Sequence, residues 1–163
     1  MKIYFYAVVI STLTTCCTSM AADFTRAHAD GQKVAIATST GKHIIVREKY
    51  QVREVRIAPN GMAAAWLLED ISMEPSDEKG SGTLVVYRKG KRRPIACGQL
   101  IRDYWFWEKG QKIAYDCGGR HFAGNEVLFD TRTLKELERF NQSEVPPEKR
   151  PEWSASGNAF SKK

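Results

Sequence analysis

One phrase of the chain recurs. Asp30-Gly31-Gln32-Lys33-Val34-Ala35-Ile36 returns as Lys109-Gly110-Gln111-Lys112-Ile113-Ala114-Tyr115, and in a looser copy as Asn60-Gly61-Met62-Ala63-Ala64-Ala65-Trp66. Each copy is a glycine turn followed by an apolar strand. Asp-Gly and Asn-Gly suit tight hairpins because both residues tolerate positive φ. A repeated turn-plus-strand unit restricts the chain to a meander of antiparallel strands.

The intervening sequence supplies more strands of the same kind. Gly82–Lys91 and Asn125–Leu134 each read as a strand, a polar turn and the start of another strand. Lys42–Arg47 and Tyr50–Ala58 are rich in β-branched residues, and Arg93–Leu100 and Tyr104–Trp107 follow. Within Tyr50–Ala58 the apolar residues Val52, Val55 and Ile57 break period once, which predicts a bulge. Leu134, Leu137 and Phe140 also fit a helical face, but the repeat favours a strand there.

This pattern resembles the TolB-type repeats of β-propellers. Ile57-Ala58-Pro59-Asn60-Gly61-Met62-Ala63 is similar to the first half of such a blade, and Val127-Leu128-Phe129-Asp130-Thr131-Arg132-Thr133 to the second. The turn glycines 31, 61 and 110 are unevenly spaced, so the repeat is degenerate. A closed propeller needs at least about four blades of roughly 40 residues each, more than this chain provides. The expected fold is all-β: two packed antiparallel sheets resembling a two-to-three-blade β-propeller fragment, with open edges.

The ends differ from the body. Lys2 followed by Ile3–Ile10 and then Ser11-Thr12-Leu13 has the form of a secretory signal peptide, too short for a comfortable membrane span. Ser19-Met20-Ala21 places small residues before a cut at Ala22. The expected organisation is therefore a signal peptide over 1–21, a β-rich domain over 22–140 and a flexible tail over 141–163. The tail rests on Pro146, Pro147, Pro151, the serines and the terminal lysines. The implied location is the periplasm, with no stable membrane insertion after cleavage. A lipoprotein anchored through Cys16 is the less favoured reading.

Cleavage removes Cys16 and Cys17 and leaves Cys97 and Cys117, which in an oxidising compartment read as one disulfide. A zinc site using Cys117 and His121 lacks the usual paired Cys-x-x-Cys, so neither metal nor cofactor is expected. No nucleophile elbow, phosphate loop or zinc helix is present in the sequence. A Cys117–His121 dyad and the carboxylates Asp103 and Asp116 are the remaining enzymatic alternatives. The expectation is a protein that is not an enzyme.

Three features are candidates for partner binding. The first is the basic hairpin Arg88, Lys89, Lys91, Arg92 and Arg93 around Gly90. The second is Tyr104-Trp105-Phe106-Trp107, where alternation sends one pair to the core and leaves the other for a second layer or a partner; Trp105 and Trp107 are the candidate anchors. The third is the acidic stretch Glu69–Glu78, including Glu69, Asp70 and Glu74, which lacks the spacing of a calcium loop. The formal net charge of +6 is modest, and the chain has no base-stacking module, so nucleic acid is not an expected partner.

In size and architecture the chain resembles periplasmic immunity proteins that neutralise type VI secretion effectors. That resemblance implies an inhibitor that plugs a secreted hydrolase such as a cell-wall amidase. The alternative is an envelope accessory module that binds peptidoglycan or a larger envelope protein.

Overall fold

A computed structural model describes residues 23–69, 82–119 and 123–158. The expected leader 1–21 with Cys16, the acidic residues Asp70 and Glu74, and His121 lie outside the described residues.

The described chain is all-β and builds three antiparallel sheets in strict sequence order. The first comprises β1 (Phe24–Asp30), β2 (Lys33–Thr38) and β3 (His43–Arg47). The second comprises β4 (Gln51–Ile57), β5 (Ala64–Glu69), β6 (Thr83–Arg88) and β7 (Lys91–Ala96). The third comprises β8 (Ile101–Trp107), β9 (Lys112–Cys117), β10 (Asn125–Asp130) and β11 (Glu136–Asn141). Consecutive up-and-down sheets of this kind make the fold β-propeller-like. The three sheets correspond to the upper end of the expected two-to-three-blade fragment, and the middle sheet is buried on both faces. Ala64–Leu68 of β5 and Leu84–Tyr87 of β6 are buried without alternation.

Each sheet–sheet gap holds its own core. Between the first and second sheets lie Val34, Ile36, Val52, Trp66, Leu68, Val85 and Tyr87. Between the second and third lie Ala65, Leu67, Leu84, Val86, Ile101, Tyr104, Ile113, Tyr115, Val127 and Phe129. The two sets alternate along β5 and β6, as strand geometry requires of a layer sandwiched between two others. The expected bulge occurs in β4, where the pairing with β5 shifts between Arg53 and Arg56.

The recurring phrase marks the first hairpin of each sheet: the Gly31, Gly61 and Gly110 turns precede β2, β5 and β9. Gly110 has φ 89°, and a Cβ there would lie 2.8 Å from the Ala58 Cβ, so the third sheet's turn packs closely against the second's. The first sheet is out of phase with this arrangement. β1 lies alongside β4 in the opposite direction: Phe24 N donates to Gly61 O (2.7 Å) and Val52 N to Gly31 O (3.0 Å). The Gly31 turn therefore sits at the opposite rim from the Gly61 turn.

Cys97, just after β7, is disulfide-bonded to Cys117 at the end of β9, with Cα atoms 6.1 Å apart. The bond staples the second sheet to the third. Closing a loop of this length stabilises a fold by roughly 3 kcal/mol in the chain-entropy description.

Residues 134–140 resolve as expected, with β11 a strand. The segment beyond Asn141 differs from the flexible tail expected. Trp153 is buried and packs on Ala114, Leu128 and Phe140, with Trp105 and Trp107 beside them. This packing covers the outer face of the third sheet. A short helix, α1 (Ala155–Asn158), follows. Proline-rich composition suggested mobility, but a single large aromatic with an apolar face to cover decides the outcome.

Candidate partner-binding surfaces

The basic hairpin is built by a two-residue turn. Lys89 (φ 51°) and Gly90 (φ 74°) both occupy the left-handed region, and Arg88 pairs with Lys91 across the ladder. Its five cations have separate duties. Arg92 makes a forked ion pair with Glu48, Nε to Oε1 at 2.8 Å and a terminal nitrogen to Oε2 at 2.7 Å. Glu48 lies in the link between the first two sheets, its side chain only 2% exposed, and also accepts the Trp66 indole N–H at 3.0 Å. Hydrogen bonding to Glu48 raises the Arg92 pKa further. Arg93 donates to the backbone oxygens of Arg132 (2.7 Å) and Thr133 (3.4 Å), tying the second sheet to the third. Arg88 reaches the Met62 sulfur at 3.8 Å. Lys89 and Lys91 remain exposed at the tip. Two of the five expected contact residues, Arg92 and Arg93, thus also serve as structural braces, and the two lysines are the charges at the exposed tip.

The aromatic strand β8 divides as its alternation predicts. Tyr104 is fully buried in the core between the second and third sheets, and Phe106 packs against the same core. The Tyr104 hydroxyl donates to the backbone oxygens of Ala65 (2.6 Å) and Glu54, and burial is the main cause of a strongly raised pKa. Trp105 and Trp107 face the other way and are half-buried. They do not form an open anchor, because the chain's own C-terminal segment occupies that face. The Trp105 indole donates to Trp153 O at 2.7 Å, and the Trp153 indole donates to Glu138 Oε2 at 2.7 Å.

Sequence reasoning missed the carboxylate that helps hold this segment. Glu126 on β10 is fully buried. Its Oε1 accepts from Gln142 Nε2 (2.9 Å), from Ser156 N (3.3 Å) and from the Ser156 hydroxyl. Gln142 in turn accepts from Arg102 at 2.8 Å, and Arg102 forms an ion pair with Asp116 at 2.6 Å. The available signal was an acid sharing a strand face with Leu128, and it went unread.

Of the acidic stretch, only Glu69 is described; it pairs with Arg53 at 3.3 Å. Asp116 is held by Arg102, and Asp103 by Arg56 at 2.8 Å. The Cys117 sulfur is bonded to Cys97 and is not a thiol. Among the described residues, no group of three or more metal-binding side chains converges, and no helix is long and apolar enough to cross a membrane.

The two outer ends of the stack are unlike. The third sheet's outer face is covered by the segment carrying Trp153. Among the described residues, nothing covers the first sheet's outer face. Register places Arg26, His28 and Asp30 of β1 beside Lys33, Ala35 and Ala37 of β2, and these beside His43, Ile45 and Arg47 of β3. Ile45 is 56% exposed. A shallow cavity of about 320 Å³ on this face is lined by Thr25, Arg26, His28, Ala35, Ala37 and His43.

No family model matches the chain, and no curated protein matches it. Among solved structures, it is similar to an acylaminoacyl peptidase from Pyrococcus horikoshii, with 10% sequence identity and a TM-score of 0.43. The match covers 74% of this chain and 25% of that chain, so this chain spans about a quarter of the peptidase's length. At that score the likeness says nothing about activity.

Proposed function

We propose that this chain is a non-enzymatic binding protein of the periplasm that inhibits another protein, in the manner of an immunity protein against a secreted effector such as a cell-wall amidase. The observation that carries the reading is the asymmetry of the stack. One outer sheet face is covered by the chain's own C-terminal segment, while the other presents a half-apolar, cationic surface with nothing described over it. A face of that kind is suited to a macromolecular partner. Lys89 and Lys91 supply a second accessible cationic point, which favours encounter with an acidic cleft. The disulfide is consistent with an oxidising compartment.

Co-purification from the native envelope tests the proposal. The expected result is a stoichiometric protein partner whose hydrolytic activity falls when this chain is added. Lys89→Glu with Lys91→Glu is expected to slow association while leaving the fold intact. Recovery of peptidoglycan alone would replace this reading with the accessory-module one.

A further inference from the structure

We propose that the outer edge of β3 is a strand-addition site, taking an extended, acidic segment of a partner protein as a further strand of the first sheet. The inference rests on the reading of the chain as a binding protein and says where and how it binds.

The three sheets end in three outer edge strands, and these are not equally protected. β7 carries Lys91, Arg92, Arg93 and Pro94, the charges and proline that block edge pairing. β11 carries Glu136, Glu138 and Arg139, with Glu136 and Arg139 paired to each other at 2.7 Å. β3 reads His43-Ile44-Ile45-Val46-Arg47: three consecutive β-branched residues, no proline and a single full charge. It is the edge among the three that lacks the usual defences.

Its hydrogen-bonding phase can be worked out. Thr38 N donates to Lys42 O, and Glu48 N donates to Gln32 O. Antiparallel pairs alternate between hydrogen-bonded and non-bonded. With β2–β3 partners Ile36–Ile44 and Val34–Val46 in the same phase as those flanking bonds, Ile44 and Val46 face β2. His43, Ile45 and Arg47 therefore direct their N–H and C=O groups to the open edge, and their side chains lie on the exposed face. Ile44 and Val46 pack instead against the core between the first two sheets.

The same geometry sets the chemistry of the occupant. An added strand would place alternate residues beside His43, Ile45 and Arg47. Behind that row stand Arg26, His28 and Lys33, with Asp30 the one acid on the face. Carboxylates flanking an apolar residue complement this row, and a carboxylate beside His43 would reach the cavity that Arg26 and His28 line. The intervening residues of the strand extend the apolar layer of Ile44 and Val46. The main chain supplies affinity and the alternate side chains supply selectivity, as in other strand-addition complexes.

The test uses the chain from Ala22 onward, a capped peptide Glu-Val-Ile-Val-Glu, and its counterpart Lys-Val-Ile-Val-Lys, read by backbone amide NMR. The acidic peptide is expected to shift the His43, Ile45 and Arg47 amides and slow their exchange about ten-fold at saturation. The lysine peptide is expected to bind at least about five-fold more weakly. Ile45→Pro removes an outward N–H without touching the β2 ladder and is expected to abolish binding. Ile45→Lys, which keeps the N–H but adds a gatekeeper charge, provides a second variant should proline disturb the strand. Equal binding of the two peptides, shifts confined to other strands, no saturable binding, or unchanged binding by both variants would each overturn the proposal. Sedimentation showing a dimer that Ile45→Lys dissolves would also overturn it, in favour of a second copy as the occupant. A native envelope partner that binds Ile45→Lys as well as the parent chain would defeat the edge site while leaving the inhibitor reading standing.

Discussion

Replacing Trp153 with alanine tests whether the C-terminal segment is part of the fold. The side chain is 5% exposed and sits among Ala114, Leu128 and Phe140, with its ring centre 5.6 Å from that of Phe140. A buried tryptophan removes roughly 200 Å² from water, which at about 25 cal/mol per Å² sets a ceiling near 5 kcal/mol. A compact unfolded ensemble already hides part of that area, lowering the figure to about 3–4 kcal/mol. The substitution also removes the indole donor to Glu138 Oε2, although that carboxylate lies on an exposed strand and can turn to water. The loss in global stability cannot exceed the docking free energy of the segment, since beyond that point the segment simply detaches. We therefore expect Trp153→Ala to cost about 3 kcal/mol in urea unfolding followed by circular dichroism. Native-state trypsin cleavage after Lys149 should accelerate in parallel, because Arg150 loses its bonds to the Gln142 and Val145 backbone oxygens when the segment lifts. A cost below about 1 kcal/mol, with cleavage after Lys149 unchanged, would refute the reasoning and restore the mobile tail.

Two further outcomes follow from buried polar groups. Glu48→Ala leaves the fully buried Trp66 indole without its acceptor and Arg92 without its counter-charge, and should cost about 3 kcal/mol; Glu48→Gln, which retains an acceptor, should cost clearly less in the same urea titration. Tyr104 has its folded pKa raised, mainly by burial, so its contribution is fully present below the unfolded value of about 10 and is lost as pH rises through the folded value. Tyr104→Phe should therefore cost about 1 kcal/mol at neutral pH and flatten the alkaline fall in stability, measured as urea midpoints across pH 8–11.

Much of the architecture was legible because local rules governed it. The repeated glycine turn located the first hairpin of every sheet, and a single break in period located the bulge of β4. The cysteine count fixed the staple between the second and third sheets. What escaped was pairing over long sequence distance. Five cations in six residues read as one patch, yet Arg92 answers to Glu48 and Arg93 to Arg132 and Thr133, far away in the chain. The tail was misjudged for a related reason. Composition averages over a window, whereas burial of the segment turns on Trp153 and on Ser156, which donates to Glu126.

The out-of-phase first sheet bears most on partner binding. In the second and third sheets the first strands, β4 and β8, run in the same direction, and their following turns meet at one rim, Gly110 against Ala58. β1 instead runs opposite to β4, with Phe24 of β1 bonded to the Gly61 turn that follows β4 and Val52 of β4 bonded to the Gly31 turn that follows β1. The two strands are tied by these turn bonds while belonging to separate sheets. Of the outer edges, β7 and β11 carry protecting charge or proline and β3 does not. Among the described residues, two of the three outer edges are neutralised and one of the two outer faces is covered by Trp153, which leaves one edge and one face in contact with each other. Their adjacency makes a single continuous surface, and β3 is the strand they share.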